Sequence, residues 1–333
     1  MPRHNHRHLV FLLLSEMMDR MMLMVAVALP LLLVASITDA SRFHPLSQQE
    51  VDQKLGAPAN ETALIRGLIG RISPDADSGT DPTYMVISLF NADETPTETG
   101  LTDSLQHLIS MGFALKHGQG TAGAVWIAGS GAGPLSGAKT IILGWNVLPA
   151  EYGDSRTHFF TAWTDDGFIK TGCLNTKCPG FQPEKGAHIA PGDAIEHVST
   201  PNGGKQNLNL KVVKDSGASG DWLVHLGLNR DPELIGRFPR SLFTGVFFDK
   251  AVAIRFGGMV TAPVSDPAPM GSGYLPAAGG AAASISNIQL IDRDGRASPV
   301  TQDLPKLESK PDSYAVSPIE NGKFFYGGPK GAK

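Results

Sequence analysis

The chain has 333 residues, a formal net charge of −4 and 41% apolar residues. That suits one large folded domain with extra N-terminal sequence, or two small domains, and the absence of a basic excess speaks against nucleic-acid binding. With 38 glycines, 24 prolines and few long helical periodicities, many short strands joined by turns are expected.

The chain opens as a processing sequence. MPRHNHRH is basic, Met21–Ala35 is apolar, and SITDAS supplies small residues. This is the layout of a secretory signal peptide. Six of the ten methionines precede residue 25, so Met17 is an alternative start, with MMDR as its basic region. Cleavage is expected after Ala40 or Ser36. The competing reading is a membrane anchor, but the apolar run is shorter than the ~20 residues a spanning helix needs. Asp19 and Arg20 block its upstream extension. Secretion in turn predicts a disulfide between Cys173 and Cys178. The alternatives are free thiols or a metal pair, and a CxxxxC pair without a second pair or nearby histidines is a poor zinc site. His4, His6 and His8 lie in the segment to be removed. No metal or cofactor is expected. Asn60 heads the single N-glycosylation sequon, Asn60-Glu61-Thr62.

Residues 44–56 carry the clearest helix start. Ser47 and Glu50 make a capping box, Leu46 and Val51 sit at staple positions, and Gly56 can end the helix. A polar linker, ISPDADSGTDP, follows. Strand-length apolar runs then appear at 84–90, 124–128, 139–147, 252–260 and 284–292. Residues 206–213 alternate, with Leu208, Leu210 and Val212 facing one way. The loop DSGASGD joins them to WLVHL (222–226) as a hairpin. Residues 102–113 read equally as a short helix or an amphipathic strand. The outcome is an all-β fold of two stacked antiparallel sheets.

Residues 141–181 read IILGWNVLPAEYGDSRTHFFTAWTDDGFIKTGCLNTKCPGF. The order GW, YGD, FF-A-WT-DG and TGC-x4-CPGF resembles the plant neprosin family, secreted glutamic-type peptidases. Further similar segments are ISLFN (87–91), VWIAGSG (125–131), WLVHLG (222–227), IGRFPRSLF (235–243), AIRFGGMV (253–260), MGSGY-LP (270–276) and FFYGGP (324–329). The resemblance implies a β-sandwich of jelly-roll type with a cleft on one concave face. It also implies acid-pH cleavage after proline. It makes 1–40 the signal peptide, 41–81 a shortened, partly helical propeptide remnant and linker, and 82–333 the β-sandwich domain.

Such chemistry needs two carboxyl groups, one ionised to activate water and one protonated to donate. The family places them as glutamates in E-x-GW and GGE. Here the first position is Ile142 and the second Met259. Neither side chain carries a proton to exchange, so the resemblance leads to an expectation of lost activity. The alternative is an active prolyl endopeptidase using a relocated carboxylate: Glu151, Asp154, Asp165, Asp166 or Asp249. A third reading is a degenerating gene copy. No Ser-His-Asp pattern and no HExxH signature appears.

Trp145 and Trp163 either line a substrate groove or pack between the sheets. Gly257 and Gly258 either admit a peptide backbone or bend a strand. Met270, Ser272 and Tyr274 sit in a segment read as a cleft-rim loop or a tight turn. The expected partner is an extended peptide or a proline-rich cell-wall protein. The expected location is extracellular, in the apoplast or cell wall, with no membrane attachment once the signal is removed.

Overall fold

The computed structural model describes residues 115–129, 139–200, 204–245, 251–291 and 296–329, apart from positions 216, 252, 264, 305 and 309. It also describes the backbone of four strand segments between residues 44 and 106. The chain divides at Ser41 into an N-terminal unit, outside the described residues, and a unit Arg42–Lys333.

In chain order the first strands of that unit are β1 (His44–Pro45), β2 (Asp81–Val86), β3 (Phe90–Asn91), β4 (Gly100–Gln106), β5 (Gly120–Ala128), β6 (Thr140–Val147) and β7 (His158–Thr164). Then come β8 (Cys173–Leu174), β9 (Gln182–Pro183), β10 (Asn207–Lys214), β11 (Trp222–Leu228), β12 (Glu233–Phe238) and β13 (Ala253–Ala262). The last are β14 (Ala283–Ile291), β15 (Ala297–Pro299), β16 (Leu307–Glu308), β17 (Ala315–Val316) and β18 (Lys323–Gly327). A one-turn helix, α1 (Pro149–Tyr152), follows β6.

Two antiparallel sheets result. The first runs β1-β3-β13-β5-β6-β7-β8, with β2 on β13 and β16 on β2. The second runs β17-β18-β14-β4-β10-β11-β12-β9, with β15 on β14. Their inner faces share one core. Val125, Ile127, Ile141, Leu143, Phe159 and Phe256 come from the first sheet, and Leu208, Leu210, Val212, Trp222, Ile235 and Ile285 from the second. This is the all-β sandwich expected from the strand patterning, apolar side chains alternating toward a shared interior.

β10 shows the alternation directly, with Leu208, Leu210 and Val212 fully buried and Asn207, Asn209 and Lys211 half-buried. It forms a hairpin with β11 in the expected register, Lys214 opposite Trp222. The 84–90 run divides between β2 and β3, and the ambiguous 102–113 segment is strand as far as Gln106. The helix expected over 44–56 is described only at its first two residues, which are β1. The rest of it, the signal peptide and Asn60 lie outside the described residues.

Candidate functional site

β5, β6 and β7 are buried at every position, which a sandwich strand covered on one side alone would not show. Their second face forms a separate apolar cluster of Ala122, Ala124, Trp126, Ile142, Phe160, Ala162, Phe168 and Leu174, with Met259 packed against it. Strand pairing fixes its layout. One row across the sheet is Met259, Ala122, Asn146 and His158. The next is Gly257, Ala124, Gly144 and Phe160, and a third is Arg255, Trp126, Ile142 and Ala162. Ile142 and Met259 therefore share this face. They stand two strands apart and four residues out of step, roughly 10 Å across and 13 Å along a flat sheet.

The loop after β7 supplies part of the cluster. Asp166 accepts from the backbone of Ile169, Lys170 and Thr171 and from the Thr171 hydroxyl at 2.8–3.1 Å. Burial works to raise this carboxyl, and those hydrogen bonds outweigh it and lower it. The resulting turn, with the Phe168 N–H on Thr164 Oγ1 at 2.7 Å, lays the Phe168 ring on the apolar face.

One end of the face is polar. Pro149 opens α1 and Gly153 closes it in the left-handed region, its N–H returning to Pro149 O at 2.9 Å. This tight reversal brings Tyr152 back over the sheet. Its ring stacks on His158 at 3.8 Å, and its hydroxyl lies 3.0 Å from Asn146 Oδ1. Asn175, in the loop bridged by the Cys173–Cys178 disulfide, donates from Nδ2 to that hydroxyl at 3.1 Å. His158 is clamped between Asp154 Oδ1 at 3.0 Å and Gly192 O at 2.8 Å. Both partners are acceptors, so the ring makes both bonds only when each nitrogen carries a proton.

Burial pushes the Tyr152 phenol up to about 12; the asparagine bonds oppose this and the charges of Glu151 and Asp154 add to it. Burial also works to raise Asp154, but bonds from His158 and Arg156 outweigh it and hold that carboxyl at about 2.

The carboxylates near this face are already engaged. Glu151, its side chain 2% exposed, meets Lys177 at 2.6 Å. Asp154 serves His158 and Arg156. Asp165 takes Lys139 at 2.8 Å and both the N–H and hydroxyl of Thr244. Asp166 is spent on its turn, and Asp249 lies outside the described residues. On the strand positions of the face itself, among the described residues, there is no Asp or Glu. No group of three or more metal-ligating side chains occurs among the described residues.

The Neprosin family model matches residues 117–329. The chain belongs to the Neprosin family. Two solved structures of scytalido-glutamic peptidase with transition-state analogues cover 76% and 74% of this chain and 99% and 98% of theirs. Their identities are 10% and 8% and their TM-scores 0.34 and 0.35. An alginate lyase with alginate tetrasaccharide covers 67% of this chain and 93% of its own, at 12% identity and a TM-score of 0.23. The assignment rests on the family match alone.

In this neprosin-family domain the candidate cleft residues separate. Trp145, 1% exposed, belongs to the inter-sheet core, as does Trp163, which meets Phe243 edge-on at 5.8 Å. Both side chains pack among the buried residues of that core. Gly258 also faces inward. A Cβ there would meet Met270 Sδ at 2.6 Å and Tyr326 Cδ2 at 2.7 Å, so its bareness makes room for two core side chains. Met270 is fully buried and Ser272 nearly so, its hydroxyl accepting from Tyr274 N–H at 3.3 Å. Tyr274 is 41% exposed. Gly257 alone of these shares the outer face with Ile142 and Met259.

The sequence held a signal for this sorting. In a strand, residues an odd number apart face opposite ways. Three positions separate Ile142 from Trp145 and one separates Met259 from Gly258, whereas Asn146 lies four from Ile142. Sequence reasoning missed Asn146, Tyr152, His158 and Asn175. Elsewhere, a cleft of about 590 Å³ at the end of the second sheet is lined by His188, Asp193, Glu196 and His197 among others.

Proposed function

We propose that this neprosin-family protein is secreted and non-catalytic, and binds an extended, proline-rich peptide such as a segment of a cell-wall protein. The supporting observation is the state of the two positions where the resemblance places glutamates. Ile142 is 1% exposed inside an apolar cluster, and Met259 packs against that cluster. Neither can activate water or protonate a leaving group. General acid–base catalysis is worth ~10²–10⁴-fold, and losing both partners leaves no route to it. The engaged state of Glu151, Asp154, Asp165 and Asp166 argues against a relocated acid. A β-sheet face still suits an extended peptide.

The test pairs the wild-type protein with Ile142→Glu/Met259→Glu, incubated with a proline-containing peptide from about pH 2 to pH 6. No cleavage by the wild type is expected, together with measurable binding of a proline-rich peptide. Cleavage by the wild type would overturn the non-catalytic reading. Cleavage by the double variant alone would support both the positions and the loss. Absence of any peptide binding would overturn the binding reading.

A further inference from the structure

The cleft of about 590 Å³ lies beside the segment that leaves the first sheet and enters β10. Backbone bonds tie that segment to β7 and the residue before it. Gly192 N–H donates to Phe159 O at 2.8 Å, Phe159 N–H to Asp193 O at 3.0 Å, and Ile195 N–H to Thr157 O at 2.7 Å. Another part of the wall is the end of the β10–β11 hairpin. There Asn207 N–H donates to Asn229 Oδ1 at 2.7 Å and Asn229 N–H to Asn207 O at 2.9 Å. Both parts are held by main-chain bonds, so the cleft is preformed. Ile189, Ala194 and Leu228 give it apolar surface. Its volume falls within the roughly 300–1,000 Å³ of small-molecule sites, where apolar lining with a few polar groups is usual.

The polar lining divides into atoms already bonded and atoms left over. Asn229 is engaged at both ends, its oxygen by Asn207 and its nitrogen by Gln206 Oε1. The second bond leaves Gln206 Nε2 as a donor. Asp193 Oδ2 accepts from Ala190 N–H at 2.8 Å, which leaves Oδ1. His188 Nδ1 meets the Glu233 carboxylate, an acceptor, so Nδ1 carries a proton and Nε2 is left over. The side chains of Glu196 and Asn207 make no hydrogen bond or ion pair among the described residues. Donors and acceptors thus remain together in one cleft. A cation uses acceptors alone and an anion donors alone, whereas a hydroxyl gives and accepts. A carboxylate accepts two donors at once, which suits neighbouring hydroxyls on a sugar ring, and the ring's C–H face suits Ile189, Ala194 and Leu228. Among the described residues, two carboxylates and no lysine or arginine line the cleft, which disfavours a negatively charged sugar.

We infer that this cleft binds an uncharged saccharide, with Glu196 accepting from its hydroxyls and the Gln206 and Asn207 amides donating to them. The site goes beyond the peptide-binding reading above and does not depend on it.

The experiment uses the full mature protein with three uncharged disaccharides, cellobiose, xylobiose and mannobiose, and with digalacturonic acid as the charged counterpart. Binding is followed by NMR through the ring C–H signals of His188 and His197, which both line the cleft. At least one uncharged disaccharide should move these signals saturably, a measurement that does not require any variant to fold. Digalacturonic acid should bind about tenfold more weakly or not at all. Glu196→Ala and Asn207→Ala remove side chains with no bond in the fold. Each should weaken binding of that disaccharide about tenfold, with little change in melting temperature. No saturable movement with any of the three disaccharides would overturn the inference. Equal binding of digalacturonic acid, or affinities of both variants within twofold of wild type, would overturn it as well. None of these outcomes bears on peptide binding, which is tested separately with the proline-containing peptide.

Discussion

Glu151 and Asp154 stand three residues apart and are stabilised in opposite ways. Glu151 is a nearly fully buried carboxylate whose ionic partner among the described residues, Lys177, is 61% exposed. Its desolvation is thus offset by a partner still partly in water, a weak arrangement. Glu151→Leu is expected to be neutral or to stabilise by up to ~2 kcal/mol, whereas Lys177→Met should destabilise by roughly 2–3 kcal/mol by stranding the charge. Urea denaturation of the two variants checks this, and a Glu151→Leu protein clearly less stable than wild type would refute it. Asp154 is held at about 2, below the ~3.9 of an unfolded chain. A depressed carboxyl contributes stability above its unfolded value and loses it as pH falls toward its folded one. Stability from the Asp154–His158 and Asp154–Arg156 contacts should therefore be present above about pH 4 and disappear between about pH 4 and pH 2. Near-UV circular dichroism across that window should show an acid transition. Asp154→Asn should already lack the Asp154 contribution at neutral pH, so its acid transition should be smaller.

At the scale of elements, the disulfide loop links the fold to the candidate site. β8 begins at Cys173 and pairs with β7, and two residues later Asn175 reaches Tyr152. A loop this short closes little chain entropy, so replacing both cysteines with alanine should cost about 2 kcal/mol. Thermal melts of the wild-type and variant proteins measure that cost. How far the sequence disclosed these elements depends on what covers each face. β10 was legible because Asn207, Asn209 and Lys211 stay half-exposed opposite Leu208, Leu210 and Val212. β6 was legible as a strand but not as to which side faced what, because Ile142 and Trp145 are both buried, on opposite faces. The polar end was illegible for a different reason. Asn146 and His158 become neighbours only through the β6–β7 register, and Tyr152 joins them only through the turn at Gly153.

For the whole molecule, the inner and outer faces of the first sheet do separate work. The inner face completes the sandwich core with Trp145, Phe159 and Phe256, while the outer face holds Ile142 and Met259. Substitution at either outer-face position therefore touches a different apolar cluster from the one that fills the sandwich. Beside the core, one disulfide joins the chain's two cysteines. A bond between protein thiols forms and endures in an oxidising compartment, which agrees with the signal-like start. Expressed from its full reading frame in a eukaryotic secretory host, the protein should appear in the medium. Its N-terminus should be Ile37 or Ser41, and its mass should show Cys173 and Cys178 oxidised. N-terminal sequencing with intact mass, before and after reduction and alkylation, tests both points. A product retained in the membrane fraction with residues 21–35 still attached would instead identify that run as an anchor. The β-sandwich domain would then be tethered at the cell surface rather than released.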